Sequence, residues 1–183
     1  MSKNRKKLMF LTKAALIAAL YTVLTYVAVA MNLAYGPIQF RFSEALTVLP
    51  IFTPAAIPGL AIGCFLSNIA SPFGFVDWIF GTSATLLAAI LSRALRNIRF
   101  KGIPILSVLM PVIMNAVIIG FEITCISDVS GNFAIGNFSL AVFFPIALSV
   151  GIGELVVCAA LGIPLIVLIG KTGLSRYLES GGE

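Results

Sequence analysis

Residues 139–169 read SLAVFFPIALSVGIGELVVCAALGIPLIVLI, and Glu154 is the only charged residue among them. The stretch exceeds the roughly 20 apolar residues with which a helix crosses the hydrocarbon of a bilayer. A carboxylate at that depth is costly and faces the bundle interior, a cavity or a partner charge. Gly151 and Gly153, just before it, leave space at its side, although glycines also serve close helix packing. The stretch is therefore both a membrane span and a candidate ligand or ion site.

The rest of the chain agrees with a membrane setting. Of its 183 residues, 60% are hydrophobic and only 10% charged, and the mean hydropathy is +1.08. That composition is foreign to soluble globular domains. At roughly 20 residues per crossing the length suffices for about five or six helices and leaves no soluble catalytic domain. No GxxxxGK[ST] phosphate loop occurs, so any pumping draws on an ion gradient or on a separate energising subunit. Histidine is absent, which removes the commonest acid–base catalyst and metal ligand. Cys64, Cys125 and Cys158 lie far apart in apolar surroundings, read as packing residues, and lack the paired spacing of zinc or redox motifs. Neither a metal nor an organic cofactor is expected. The net charge of +5 is distributed in short segments beside apolar runs, which is the pattern of membrane orientation and not of nucleic-acid binding.

Six helices are expected, at about residues 10–31, 43–56, 58–72, 76–95, 103–126 and 139–169, in a single membrane domain over residues 1–183. The first follows Lys3, Arg5, Lys6 and Lys7 and carries Lys13 near its start. Its length exceeds the 7–15 residues of a signal-peptide core, and further spans follow, so an uncleaved helix is the reading here. Pro50, Pro54 and Pro58 divide residues 45–73 into two shorter helices, because proline disfavours continuation of a helix. Six crossings place both termini on one side. The basic clusters at the N-terminus, at Arg93, Arg96, Arg99 and Lys101, and at Lys171 and Arg176 then all face the cytoplasm, as the positive-inside rule requires. The expected fold is an all-α integral membrane protein of the bacterial cytoplasmic membrane, a six-helix bundle with both termini inside.

On that topology the polar side chains gather in the outer half. Arg41 and Glu44 enter the second helix, Asn68 ends the third and Asp77 opens the fourth. Asn115 and Glu122 are seven residues apart and share one face of the fifth, about 10.5 Å apart along the axis. With Glu154 they imply a pocket open to the outside, for a ligand rich in hydrogen-bond donors and carrying positive charge. Each residue also has a plainer reading. Glu44 after Ser43 and Asp77 both suit a helix start, and Arg41 can pair locally with Glu44 or reach lipid phosphates. Glu122 can be solvated near the membrane boundary, and Asn115 can serve an interhelical hydrogen bond. The aromatic residues Tyr35, Phe40, Phe42, Phe73, Phe75, Trp78, Phe133 and Phe138 fit an interfacial belt. On the first helix Ala14, Ala15, Ala18 and Ala19 form two overlapping AxxxA pairs, which serve either packing inside the bundle or docking of a partner.

The run Gly36-Pro37-Ile38-Gln39-Phe40-Arg41-Phe42-Ser43-Glu44-Ala45-Leu46, with Leu49-Pro50, Gly59-Leu60-Ala61-Ile62-Gly63-Cys64, Asp77-Trp78-Ile79-Phe80-Gly81-Thr82 and Gly153-Glu154, resembles the queuosine-precursor transporter family. These are substrate-binding (S) components of energy-coupling factor transporters. The resemblance covers essentially the whole chain and implies a six-helix capture subunit that meets a membrane coupling subunit and two cytoplasmic ATPases. It also implies a 7-deazaguanine cargo, with docking through Ala14, Ala15, Ala18 and Ala19. In that picture Glu154 accepts from the guanine edge, Asn115, Glu122, Asp77 and Asn68 support it, and Arg41 and Glu44 form an outer lid. The rival class is a self-sufficient proton-coupled transporter with Glu154 as the proton carrier, although 183 residues without a visible inverted repeat is small for one.

Overall fold

A computed structural model describes residues 2–34, 40–126 and 132–179. Residues 35–39 of the hinge with Tyr35, Asp128, and the tail at 180–183 lie outside the described residues. Within them the chain is helical, with β-type pairing limited to two isolated bridges, Phe100 with Ile103 and Ile126 with Phe133.

Helix α1 spans Lys3–Ala30, and Ser2 caps it by accepting from the Arg5 N–H at 3.4 Å. Such a cap satisfies one of the free amides of the first turn. A ten-residue 3-10 segment at Phe42–Ile51 follows, and then α2 at Ala56–Asn68, α3 at Phe75–Ala94 and α4 at Ile105–Cys125. Next come α5 at Leu140–Val157, a π-helical turn at Cys158–Gly162, α6 at Ile163–Thr172 and α7 at Leu174–Glu179. Four stretches are long and apolar enough to cross a membrane: α1, α3, α4 and the continuous run Leu140–Thr172. The 3-10 segment and α2 are apolar but shorter.

Two expected regular helices are therefore irregular. The expected helix at 43–56 is a 3-10 run that ends at Ile51, with Pro50 inside it and Pro54 in the turn beyond. Runs of this geometry longer than three or four residues are uncommon. Here packing sustains it, because residues 43–51 are all buried and the segment contacts α1, α2, α3, α4, α5, α6 and the π turn. The expected helix at 139–169 carries the π turn, where the Ile163 N–H bonds the Cys158 carbonyl, five residues back. Pro164 follows directly and has no N–H for the ordinary ladder, so the widened turn adapts the backbone to it.

Successive helices α1 to α5 pack on one another in chain order, around the 3-10 segment. One apolar cluster joins Tyr21, Leu46, Leu49, Leu60 and Ile169, and a second joins Val48, Ile51, Val108, Cys158 and Ile166. The outer faces carry exposed Leu16, Leu20, Val23, Phe144, Leu148 and Leu168 while Glu44, Asn68, Asp77 and Glu122 are buried. Apolar outside and polar inside is the distribution lipid imposes. The α1–α2 seam is closed by Gly59 and Gly63. A Cβ on Gly59 would lie 2.7 Å from the Ala14 carbonyl oxygen, and one on Gly63 2.8 Å from that of Ala18.

At the far end of the bundle Lys13 is buried and its ammonium donates to the carbonyls of Tyr177 at 2.5 Å and Leu178 at 3.1 Å. That contact satisfies terminal carbonyls of α7, which have no partner within the helix. Arg99, Lys101 and Lys171 line a common cavity, so these cationic residues share one end with the start of α1.

Candidate binding site

The 3-10 segment, α4 and α5 converge on a small polar cavity lined by Arg41, Glu44, Asn115, Ile119, Val150 and Glu154. Four of these six are residues that the sequence singles out. Asn115 and Ile119 lie one turn apart on α4, and Val150 and Glu154 one turn apart on α5, so each helix gives the cavity one apolar and one polar side chain. The volume is about 10 Å³, space for about one water molecule.

Glu44 and Glu154 face each other across this space. The Tyr21 hydroxyl donates to Glu44 Oε1, whereas Glu44 Oε2 has no hydrogen-bond partner among the described residues. Glu154 Oε1 accepts from the Cys158 thiol at 3.7 Å, and that sulfur lies 4.0 Å from the Thr47 hydroxyl. Two facing carboxyl groups with such sparse compensation are costly to bury, because acceptors without donors keep their full desolvation penalty.

Arg41 enters the cavity from the start of the 3-10 segment and is held from outside it. Its guanidinium lies 3.9 Å from Asp77 and donates to the Asn68 side-chain carbonyl at 3.5 Å. Asn68 in turn donates to the Asp77 carbonyl at 3.0 Å. Asp77 is thus no solvent-facing helix cap, since it is buried near the start of α3 against Arg41. Asp77 and Asn68 reach the cavity only through Arg41. Glu44 is 2% exposed and forms one wall of the cavity.

Glu122 lies further along the α4 face, outside the cavity lining. It is only 1% exposed, against the solvated reading, and neither of its oxygens has a hydrogen-bond partner among the described residues. It lies within electrostatic reach of Asp77 and Arg41. Nearby rings join α3, α4 and the segment that follows, with Phe80 and Phe133 centroids 5.2 Å apart and Phe121 and Phe138 5.4 Å apart. Trp78 packs edge-on against Phe65 at 5.9 Å. The four alanines divide: Ala14 and Ala18 are buried on α2, while Ala15 and Ala19 are exposed.

Sequence reasoning passed over Tyr21 and Thr47 and read Cys158 as a packing residue. Tyr21 had a signal, because it continues the 14–18–21 helical stripe and places a hydroxyl in mid-span. Thr47 lies one 3-10 turn after Glu44 and Cys158 one helical turn after Glu154, so both follow once the carboxylates are chosen.

Residues 11–171 match the family model described as QueT transporter. The chain belongs to the QueT transporter family. A curated relative, "Queuosine precursor transporter QueT" of Lactococcus lactis subsp. cremoris (strain MG1363), is 42% identical over 87 residues, which cover 48% of this chain and 50% of that protein. The match thus spans about half the length of the relative. No solved structure matches the chain. All seven polar residues discussed above fall within the stretch matched by the QueT model.

Proposed function

We propose that this chain is the substrate-capture subunit for uptake of a queuosine precursor of the 7-deazaguanine type, energised by a separate coupling subunit and two ATPases. It would do so as a single six-crossing domain of the bacterial cytoplasmic membrane, with both termini and the cationic end of the bundle inside. The observation that carries the reading is the cavity in which Glu44 and Glu154 face each other beside Asn115 and Arg41, within a chain of the QueT family. The similarity to the queuosine precursor transporter of Lactococcus lactis supports the cargo.

The chemistry fits a deazaguanine. Its N1–H and exocyclic amine form an edge of two donors, which one carboxylate, Glu154, accepts together. Asn115 and the Arg41 guanidinium supply donors for the O6 carbonyl. An aminomethyl substituent adds a cation, which the second carboxylate, Glu44, receives, and Glu122 adds negative potential from further along α4. Asp77 and Asn68 position Arg41. A cavity of about 10 Å³ is far below the ~300 Å³ of ordinary small-molecule pockets. The form described here is therefore occluded, and loading requires the 3-10 segment or the α5–π–α6 run to move. Irregular turns of this kind recur at functional sites in helices, and both cavity carboxylates stand on them or one turn away. Docking of the coupling subunit falls to the exposed Ala15 and Ala19, with Ala14 and Ala18 committed to α2.

Calorimetric titration of the purified protein with aminomethyl and cyano 7-deazaguanines, and with guanine and thiamine as controls, tests the cargo. Saturable sub-micromolar binding of a deazaguanine that weakens about thirtyfold in Glu154→Gln supports it, and silence for all four ligands removes it. The proton-coupled alternative draws on the same pair of facing carboxyl groups, which can share a proton. Uptake by this chain alone in proteoliposomes, driven by a pH gradient without ATP, would favour that alternative.

A further inference from the structure

A second cavity, wider than the polar one, opens elsewhere in the bundle. At the cationic end, between the exit of the 3-10 segment, the α3–α4 connection and α6, lies a cavity of about 430 Å³. Its walls are apolar, with Phe52 and Ile166 among them, and Arg99, Lys101 and Lys171 stand on it. We infer that this cavity binds one anionic phospholipid of the adjoining leaflet, with Arg99, Lys101 and Lys171 around the headgroup phosphate and an acyl chain against Phe52 and Ile166.

Three observations independent of the polar site carry this inference. The first is charge. Neighbouring arginines are engaged with backbone, Arg93 donating to the Pro50 carbonyl at 2.9 Å and Arg96 to the Arg93 carbonyl at 3.0 Å. Among the described residues, no carboxylate pairs with Arg99, Lys101 or Lys171. Three exposed cations around an apolar hollow match an amphiphile with a negative head, and basic pockets between transmembrane helices are known headgroup sites.

The second is the backbone that presents Lys101. Phe100 and Ile103 exchange both N–H···O bonds, at 2.9 and 3.1 Å, across Lys101 and Gly102. Lys101 has φ +51° and Gly102 φ +84°, the paired positive values of a type I′ turn. Glycine tolerates that region freely, but a lysine there is strained, so the turn fixes Lys101 on the rim in a conformation that its own preference does not favour. The third is setting. Phe100 is 64% and Ile98 54% exposed beside this rim, the placement of side chains dipping into the interface of a leaflet.

Native mass spectrometry of the purified, delipidated protein, titrated with dioleoyl phosphatidylglycerol and dioleoyl phosphatidylcholine, tests the inference. Wild type should retain the anionic lipid at least about five times better than the zwitterionic one. The triple variant Arg99→Gln, Lys101→Gln, Lys171→Gln should lose that preference. Gly170→Phe separates a lipid seat from mere surface charge and stands in if the triple variant does not fold. Gly170 lines the cavity, and a Cβ there meets nothing within 4 Å, so the ring enters free space while all three cations remain. Retention of phosphatidylglycerol should fall about fivefold in Gly170→Phe with an unchanged unfolding temperature. Equal retention of the two lipids by wild type, or full retention by Gly170→Phe, would overturn the inference.

Discussion

The α1–α2 seam and the α4–α5 seam both rest on small residues, yet they serve opposite ends. Along α1–α2, Gly59 and Gly63 lie against the backbone of Ala14 and Ala18, and the side chains nearest them are Ile17 and Tyr21. Along α4–α5 the contact is close where Gly120 meets Ala147, a Cβ there falling 3.0 Å from its Cα. Further along, Gly151 stands off from Ala116, where a Cβ would reach 3.4 Å. In that looser stretch the seam parts around Asn115 and Glu154. Dispersion between close backbones holds the first seam firmly, as in small-xxx-small helix pairs. The second encloses carboxyl groups with too few donors, a poor arrangement for an empty site and a good one for a ligand that brings them.

Substitutions can break this contrast. The largest effect is expected at Gly63→Leu, where the new side chain meets the Ala18 carbonyl oxygen and Tyr21 Cβ. Overpacking of this kind should lower stability by about 3 kcal/mol, read as a fall in unfolding temperature in detergent. An unchanged temperature would show that the seam yields. Next is Glu154→Gln, which keeps shape and removes one acceptor. Deazaguanine affinity should weaken by about 2 kcal/mol, roughly thirtyfold, with no loss of thermal stability in the unliganded protein. A large drop in stability without ligand would instead make Glu154 a structural residue.

Glu122→Gln sharpens the difference between cavity and surroundings. Glu122 is 1% exposed and neither oxygen has a partner among the described residues. Exchanging a carboxyl group whose charged form burial disfavours for an uncharged amide should therefore raise the stability of the unliganded protein by about 1 kcal/mol and alter binding less than Glu154→Gln does. Binding loss equal to that of Glu154→Gln would move Glu122 into the site. The smallest effect on the isolated chain belongs to Ala15→Leu combined with Ala19→Leu. Both positions are exposed, and stability should stay within about 0.5 kcal/mol of wild type with binding retained. Co-purification with the coupling subunit should be lost, and its persistence would place docking elsewhere.

Arg41, Glu44, Asn115 and Glu154 could be chosen from the sequence because polar groups inside apolar runs are costly wherever the helices lie. Their convergence on one cavity could not, since it depends on how the 3-10 segment is threaded between α4 and α5. The shared face of Asn115 and Glu122 was readable from helical spacing, yet the cavity takes only Asn115, because its extent depends on the partners α4 meets along its length. The alanine stripe was equally visible, but only the approach of Gly59 and Gly63 separates Ala14 and Ala18 from Ala15 and Ala19.

The sequence by itself determined a membrane-embedded helical chain, its apolar segments, its cationic connections and its small set of buried polar side chains. Those follow from hydropathy and charge, which act residue by residue. Tertiary structure alone decided that residues 42–51 wind as a 3-10 helix, that the last long helix widens before Pro164, and that Arg41 is held by Asp77 and Asn68. Each depends on packing among segments distant in the chain, and local preference carries no record of which neighbours will supply it.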